Sequence, residues 1–380
     1  MSLPSQEIVR VLVVDDSSVM RRTVTQALAE SPGIEVVGTA VHGADALVKI
    51  PGLKPDVITL DVEMPEMSGL EALDVIHEKF PSIRVIMCST LTERGARVTI
   101  DALLRGAFDY VAKPTSGMPS EEALKQLQTD LVAKIRLQDR PRKPAALPAF
   151  PVPAKRPAPH IPAFVAGVPK CDSVRIVCLG SSTGGPNALA ELFRSLRQPL
   201  PVPMVIVQHM PPVFTRMLAE RLSHLPCGIR FEEGAHGMPV LPGWVYLAPG
   251  GRHMEVRLQR GSPFLHLHDG PQENFCRPAV DVLFRSVAQA YGGEVLAVIL
   301  TGMGSDGANS CRTLAIQGAR ILAQDEASSV VWGMPGSVAG TGLADEVVAL
   351  SQMGSRLRDI VSRHAPRRPS SLFQKSGVAA

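Results

Sequence analysis

Two long regions of this 380-residue chain alternate short apolar runs with amphipathic segments, and this alternation restricts the possible fold more than any other feature. Short apolar runs are typical of buried strands, and a 3.6-residue apolar period is typical of helices. Strict strand–helix alternation predicts a parallel sheet covered on both faces, with ligands at the carboxyl ends of the strands. In the first region the predicted strands are residues 9–14, 35–39, 57–60, 85–88 and 110–112, and the predicted helices are residues 18–30, 44–50, 70–80, 93–104 and 121–137.

The alternation is interrupted once and then resumes. Nine prolines lie between Arg140 and Lys170, together with several Arg and Lys and no acidic residue. Such a composition cannot bury a core and predicts an extended, semi-rigid linker. Apolar runs return at residues 176–179, 204–207 and 295–300. The chain is therefore predicted to hold two doubly wound α/β domains, residues 8–138 and 171–364, with a linker at 139–170 and a disordered tail at 365–380.

Composition excludes several classes of protein. The formal net charge is +3, which argues against a general nucleic-acid binder. The N-terminus has no apolar signal core, and no apolar run approaches the length of a membrane span. The six cysteines form no C-x-x-C pair or dense framework, as expected for reduced thiols. We expect a cytoplasmic chain that neither binds nucleic acid nor inserts into a membrane.

Polar residues gather at the predicted strand ends of the first domain. Asp15 and Asp16 close the first strand, Asp61 the third, Ser89 the fourth and Lys113 the fifth. Carboxylates converging at one edge repel one another, so a hard cation such as Mg²⁺ is expected among them. A single Asp at a strand end is more often a cap or turn residue, but the full set in register predicts a site that accepts and holds a phosphoryl group.

The motifs V-L-V-V-D-D-S, L-D-V-E-M-P-E-M-S-G-L and V-A-K-P make the first domain resemble a two-component receiver domain along its whole length. The resemblance implies that Asp61 accepts phosphate from a histidine-kinase partner. The implied Mg²⁺ ligands are Asp16, Asp61 and the Glu63 carbonyl, with Asp15 in support. Ser89 is the implied switch hydroxyl that moves onto the phosphoryl group, and Lys113 is implied to form an ion pair with that group.

A Gly-rich turn opens the second domain. Residues 174–196 read V-R-I-V-C-L-G-S-S-T-G-G-P-N-A-L-A-E-L-F-R-S-L, so Ser181, Ser182 or Thr183 falls where a strand turns into a helix N-terminus. Free N–H groups and the positive end of the helix dipole gather there. The turn fits a phosphate cradle, a nucleophile elbow or a simple helix cap. No Lys follows the glycines as a P-loop requires, which weakens the first of these.

A serine, a histidine and an aspartate each follow a predicted strand end in this domain. His209 comes after the run at 204–207, and Asp306 lies in the Gly-rich turn after the run at 295–300. Because such ends share one edge of an open sheet, the three side chains can meet in a crevice. Serine needs an imidazole to take its proton, and the imidazole needs a carboxylate to orient it. His209 alone could equally be a strand-end hydrogen bonder, and Asp306 alone an ordinary turn residue.

Other residues offer competing chemistry. His266 and His268 have the H-x-H spacing of a metal site, but no further ligands lie nearby in sequence, which favours an exposed polar strand face. Cys178 lies inside an apolar strand and makes a poor candidate nucleophile.

The segments L-G-S-S-T-G-G, Q-H-M, L-A-P-G-G-R-H, R-P-A-V-D-V-L-F-R-S and L-T-G-M-G-S-D-G-A resemble the chemotaxis protein-glutamate methylesterase family. Ser182, which directly precedes T-G-G, matches the family's nucleophile, His209 its base and Asp306 its orienting acid. Met303 matches the residue whose N–H serves the oxyanion hole. The resemblance implies demethylation, and usually deamidation, on the cytoplasmic helices of chemoreceptors. The two-domain architecture adds the hypothesis that the unphosphorylated receiver covers the esterase crevice.

One rival hypothesis belongs to a different class. The second domain could instead bind a partner or an anion through the same Gly-rich turn, under control of the receiver, without any turnover.

Overall fold

The computed structural model describes residues 8–114, 120–137 and 168–365. The first domain has the predicted five strands and five helices in strict alternation. Its parallel sheet has the order β2-β1-β3-β4-β5. The elements are β1 (Val9–Val14), α1 (Ser18–Ala29), β2 (Ile34–Ala40), α2 (Gly43–Leu53), β3 (Val57–Asp61), α3 (Gly69–Lys79), β4 (Arg84–Ser89), α4 (Glu93–Leu104), β5 (Asp109–Ala112) and α5 (Ser120–Arg136).

The second domain is built on a seven-stranded parallel sheet of order β14-β13-β12-β6-β7-β9-β8 and a separate antiparallel hairpin, β10-β11. The elements are β6 (Ile176–Ser181), α6 (Gly185–Leu196), β7 (Met204–Gln208), α7 (Phe214–Ser223), β8 (Arg230–Glu233), β9 (Trp244–Leu247), β10 (His253–Gln259), β11 (Ser262–His268), α8 (Val280–Tyr291), β12 (Val295–Ile299), α9 (Ala308–Ile316), β13 (Arg320–Gln324), α10 (Met334–Gly340), β14 (Glu346–Val348) and α11 (Leu350–His364).

The order of the central strands brings the candidate residues together. Strand β6 lies between β12 and β7. The chain first adds strands on the β7 side of β6 and later adds strands on its β12 side. Such a reversal point opens a crevice at the carboxyl ends of the strands. The residues that follow β6, β7 and β12 therefore share one edge, as the strand pattern predicted.

The boundaries differ from the sequence prediction by a few residues at most, and α2 shows why. This helix continues through Pro51 to Leu53, past the predicted end at residue 50. Lys54, in the left-handed region at φ 44°, ends the helix, and its N–H donates to the Ile50 carbonyl. Proline removes one backbone donor, but a final helical turn still forms around Pro51. The proline therefore indicated that the helix ends nearby, and not the residue at which it ends.

The two domains pack against each other through helices of both. Helix α4 of the first domain contacts α6 and α7 of the second. The rings of Tyr110 and Phe214 stack with centroids 4.7 Å apart, and both residues are buried. Buried apolar residues of both domains form one continuous cluster. Around it lie the ion pairs Arg216–Glu93, Arg221–Asp101 (2.8 Å) and Arg97–Glu220 (3.8 Å).

Some predictions fall outside the described residues. The linker predicted at 139–170 is described only at 168–170, and the tail predicted at 365–380 only at Ala365. Within the described parts of the chain, no helix combines the length and apolar character needed to cross a bilayer.

We expect Phe214→Ala to lower the free energy of unfolding by about 3–5 kcal/mol, because it leaves a cavity in the apolar cluster shared by both domains. The matched control is Phe275→Ala, since Phe275 is 97% exposed and its truncation should change stability by less than about 0.5 kcal/mol. Denaturant unfolding followed by circular dichroism measures both. Equal effects of the two substitutions would contradict the packing described here.

Candidate active site

The two adjacent serines of the Gly-rich turn occupy different environments. Ser181 is the last residue of β6, fully buried, and its hydroxyl donates to Gln208 Oε1 at 2.7 Å. Ser182 is the first residue beyond the strand and is partly exposed. Because successive strand residues point to opposite faces, the strand end itself separates the two hydroxyls. Only Ser182 is available to a molecule in the crevice.

Close backbone packing fixes the position of Ser182. The Gln208 side-chain amide donates to the Ser182 carbonyl at 2.8 Å, and Ser182 N–H donates to the Thr301 carbonyl at 3.0 Å. Gly302 lies directly against the serine, since a Cβ there would be 2.9 Å from Ser182 Cβ. The glycine therefore allows the loop after β12 to reach the turn after β6.

His209 and Asp306 meet as their strand positions predicted. His209 Nε2 lies 2.8 Å from Asp306 Oδ2, and both side chains are almost completely buried. The remaining ring nitrogen, Nδ1, faces away from the carboxylate. Any proton taken from a nucleophile must therefore reach His209 at Nδ1.

The Asp306 carboxylate is held from several sides. Oδ2 also accepts the N–H of Val280 (2.6 Å), while Oδ1 accepts the N–H of Asp281 (3.0 Å) and the side-chain amide of Asn274 (2.8 Å). Val280 and Asp281 open helix α8, so the carboxylate also lies at the positive end of a helix dipole. Hydrogen bonds to an ionised acceptor are short and strong, and these four hold the aspartate in one orientation.

The same contacts shift both pKa values. Burial opposes ionisation of Asp306, but the hydrogen bond and charge of His209 and the two backbone N–H groups outweigh it and lower the pKa of Asp306. Burial likewise favours the neutral His209 ring, but its bonds to Asp306 and Cys276 outweigh burial and raise the pKa of His209 to about 9. In this arrangement the imidazole of the free protein carries a proton at neutral pH.

Ser182 and His209 are not joined by a hydrogen bond in this structure. Instead the Cys276 thiol lies 3.5 Å from His209 Nδ1. Catalytic hydrogen bonds are often long or unformed before substrate binds, so this geometry does not remove Ser182 as a nucleophile. It does show that the Cys276 thiol contacts His209 Nδ1, the nitrogen that would have to accept the Ser182 proton.

Backbone amides face the same turn without acceptors. Within residues 168–365, the N–H groups of Thr183, Gly184 and Met303 donate to no hydrogen-bond acceptor. Thr183 and Gly184 immediately precede α6, whose N-terminal dipole favours negative charge. Met303 follows Gly302, which packs on Ser182. Free donors beside a serine hydroxyl are the requirement for stabilising an oxyanion.

In the first domain, the predicted acidic residues lie together at the carboxyl ends of β1 and β3. Asp15, Asp16 and Asp61 offer carboxylate oxygens that lie within 4.8 Å of one another. Lys113 Nζ lies 2.7 Å from both Asp15 and Asp61. The Glu63 side chain forms an ion pair with Arg94 at 2.7 Å.

At the acidic site of the first domain, burial and nearby charges have opposing effects on the pKa values. Burial raises the pKa of Asp61, with Asp15 adding to the effect and Lys113 opposing it. Burial disfavours the charged form of Lys113, yet its bonds to Asp15 and Asp61 outweigh that effect and raise the pKa of Lys113. Ser89, buried at the end of β4, donates to the Thr90 carbonyl at 3.2 Å. An all-oxygen donor set with excess negative charge fits Mg²⁺.

The H-x-H pair is not part of a group of described residues whose ligand atoms converge. His266 and His268 lie on β11 with ring centroids 5.9 Å apart, next to His236 and His253. Among the described residues, the groups whose ligand atoms converge are His209–Cys276–Asp306 and Asp15–Asp16–Asp61. Cys178 is fully buried, as its place inside a strand predicted, and burial raises the pKa of its thiol well above the ordinary value.

Comparison with known proteins assigns a family to each of the two domains. The CheB methylesterase family model matches residues 177–357, and the response regulator receiver domain model matches residues 11–125. A protein-glutamate methylesterase/protein-glutamine glutaminase of Nocardioides sp. is 46% identical over 363 residues, covering 95% of this chain and 97% of the relative. The chain belongs to the family of protein-glutamate methylesterases/protein-glutamine glutaminases.

Two further proteins are similar to this family member. A protein-glutamate methylesterase/protein-glutamine glutaminase of Caulobacter vibrioides is 46% identical and covers 92% of this chain and 99% of the relative. The crystal structure of the Thermotoga maritima CheB methylesterase catalytic domain is 40% identical, covering 50% of this chain and 100% of that chain with a TM-score of 0.48.

Sequence reasoning missed several residues that shape the site. Gln208, Asn274, Cys276 and Asp281 contact Ser181, Asp306 or His209 directly, yet none was singled out. Gln208 could have been found, because it is the last residue of a strand otherwise made of apolar side chains. Asn274 and Cys276 come from a loop with no periodic pattern.

The raised pKa of His209 can be tested directly. NMR titration of the ring should give a midpoint near 9 in the wild type and a lower midpoint in Asp306→Asn, which removes the main charge partner. The stabilisation linked to this shift is fully present below the ordinary pKa of about 6.5 and is lost as the pH rises through about 9. The same ordinary midpoint in both proteins would contradict the electrostatic role of Asp306.

Proposed function

We propose that the protein hydrolyses glutamate γ-methyl esters on chemoreceptors, releasing methanol, with Ser182 as nucleophile, His209 as base and Asp306 as orienting acid. The observation that carries the proposal is the buried 2.8 Å contact between His209 and Asp306, with the partly exposed Ser182 at the end of the neighbouring strand. Residues 171–364 form the proposed catalytic domain. Family membership supplies the substrate class, since the relatives are named protein-glutamate methylesterases.

The geometry assigns each group a step. His209 Nδ1 takes the Ser182 proton as the hydroxyl attacks the ester carbonyl, while Asp306 holds Nε2 and stabilises the charged ring. The N–H groups of Met303 and Thr183 receive the developing oxyanion, one such donor being worth about 3 kcal/mol. His209 then protonates the leaving methoxide. Water repeats the sequence on the acyl-enzyme and restores the serine.

The Cys276 contact means that this cycle starts with a side-chain movement. His209 Nδ1 must exchange its thiol neighbour for the Ser182 hydroxyl, and the ring must begin neutral. A pKa near 9 makes the neutral ring a minority species at pH 7. The proposed mechanism therefore predicts a rate that increases with pH up to that value.

The rim of the crevice suits a protein substrate. Phe275, next to Cys276, is 97% exposed, and Met303 is 46% exposed. Exposed large apolar side chains beside a catalytic site are suited to contact a partner surface. The cytoplasmic helices of a chemoreceptor are such a partner and place the reaction in the cytoplasm. The same attack on a glutamine γ-amide gives deamidation, the second activity in the relatives' names.

We expect Ser182→Ala to lower kcat for methanol release from methylated receptor by roughly 10⁴-fold or more. Ser181→Ala is the matched control, because the neighbouring hydroxyl is buried on Gln208 and should matter far less. A serine-reactive phosphonate should label Ser182 only when His209 is intact. Near-normal turnover by Ser182→Ala, or tight receptor binding without turnover by the wild type, would favour the rival hypothesis of a binding protein.

We further propose that residues 8–138 act as a phosphorylation switch. Asp61 accepts a phosphoryl group from a chemotaxis histidine kinase, Lys113 pairs with it, and Ser89 moves towards it. Asp16, Asp61 and the Glu63 carbonyl would hold Mg²⁺, supported by Asp15; the bound ion neutralises the phosphoryl charge. The cluster of three carboxylates within 4.8 Å supports this assignment.

The interface between the domains supports coupling of the two sites. Helix α4 begins four residues after Ser89 and packs on α6 and α7, which follow Ser182 and His209 in the chain. Tyr110 of β5 stacks on Phe214 of α7. A phosphoryl group adds nearly two negative charges beside Ser89, and a tenfold activation needs only about 1.4 kcal/mol. The receiver in its unphosphorylated state would restrain the esterase through this contact.

Charge reversal tests the coupling within the full chain. Arg221→Glu places like charges opposite Asp101 and should raise the esterase rate of the unphosphorylated protein several-fold. The double variant Arg221→Glu/Asp101→Arg restores an attractive pair and should return the rate towards that of the wild type. Arg363→Glu, on the last helix, is the control and should leave the rate unchanged. Failure of the double variant to reverse the effect would contradict inhibition through this interface.

A further inference from the structure

We propose that Cys276 and His209 form a binding site for Zn²⁺ and similar soft divalent metals that inhibits the esterase. The evidence is the 3.5 Å separation between Cys276 Sγ and His209 Nδ1. A thiolate and an imidazole are the ligands that zinc prefers in proteins. This site lies at the catalytic base but is separate from the Mg²⁺ site of the first domain.

The separation matches zinc coordination without movement of either side chain. Zinc binds sulfur at about 2.3 Å and imidazole nitrogen at about 2.0–2.1 Å. At a tetrahedral angle, two bonds of these lengths place sulfur and nitrogen about 3.5 Å apart. The observed distance is 3.5 Å. A metal bound to both atoms would therefore require little change in their separation.

Asp306 orients the His209 ring so that Nδ1 can bind either a proton or a metal. Ligating histidines usually donate their second ring N–H to a carboxylate, which fixes the ring and raises its basicity. Here Nε2 contacts Asp306 Oδ2 at 2.8 Å, leaving Nδ1 for the metal. The carboxylate is itself fixed by Asn274 and the start of α8. The arrangement is the carboxylate–histidine–metal relay of zinc proteins, with Cys276 as the second ligand.

Binding is reversible because the protein supplies two ligands. Solvent completes the coordination. As the Zn–S and Zn–N bonds form, the Cys276 thiol and the Nδ1 position of the protonated His209 ring each release a proton to the buffer. Metal on Nδ1 occupies the electron pair that would accept the Ser182 proton, so turnover stops while the metal is bound. Cys276 is half-buried and Phe275 beside it is exposed, which leaves a path to solvent.

The test compares Zn²⁺ inhibition across variants of the full-length protein, each normalised to its own metal-free rate and assayed in excess Mg²⁺ to occupy the acidic site. Cys276→Ser should raise the zinc concentration for half-inhibition at least tenfold. Cys276→His, which keeps a zinc ligand, should remain sensitive. Cys171→Ser is the control, since Cys171 is the other half-buried cysteine and contacts Gln317 far from the crevice.

A binding measurement separates this inference from the proposed function on which its activity assay rests. Cd²⁺ should produce a thiolate charge-transfer absorption band in the wild type and in Cys171→Ser, but not in Cys276→Ser, whether or not any ester is hydrolysed. If Cys276→Ser is inhibited at the same zinc concentration as the wild type, or keeps the cadmium band, the site does not exist. If the band is lost while no ester is cleaved by any variant, the site stands and the esterase proposal fails.

Discussion

The second domain depends on one buried negative charge, that of Asp306. An isolated carboxylate in a protein interior costs several kcal/mol, so its partners must come from nearly every direction. Four groups supply them: the His209 ring, the Asn274 amide and the first two N–H groups of α8. Because these partners come from the segment after β7, a loop and the start of α8, satisfying the charge fixes three separate segments against the loop that follows β12. The contacts that keep Asp306 ionised are also the contacts that hold its orientation.

The sequence alone was sufficient to predict those residue positions that follow from the regular geometry of parallel strands. Parallel strands end at a common edge, so locating the apolar runs also located Ser182, His209 and Asp306 near one another. The same reasoning placed Asp15, Asp61 and Lys113 together in the first domain, where contacts of 2.7 Å join them. Residue-level reasoning left Ser181 and Ser182 open until the family resemblance was used, although strand periodicity alone separates the buried hydroxyl from the accessible one.

The sequence was insufficient where a loop adopts unusual backbone conformations. Asn274 and Phe275 have φ values of 52° and 62°, in the left-handed region that non-glycine residues seldom occupy. These angles bring the Asn274 amide to Asp306 and the Cys276 thiol to His209. No local propensity predicts two consecutive residues of this kind, since tertiary contacts hold them there. The thiol neighbour of the base was therefore visible only in three dimensions.

The apolar cluster shared by the two domains would limit how far the proposed activation could separate them. Burying one phenylalanine is worth about 1.5–3 kcal/mol, and Phe214 is only one member of that cluster. Full separation would therefore cost more than the change of about 1.4 kcal/mol that gives tenfold activation. It would also expose apolar surface and raise the heat capacity of the protein, whereas loosening of the ion pairs at the edge would not. Small displacements along this interface would therefore cost little free energy, whereas complete separation of the domains would cost much more.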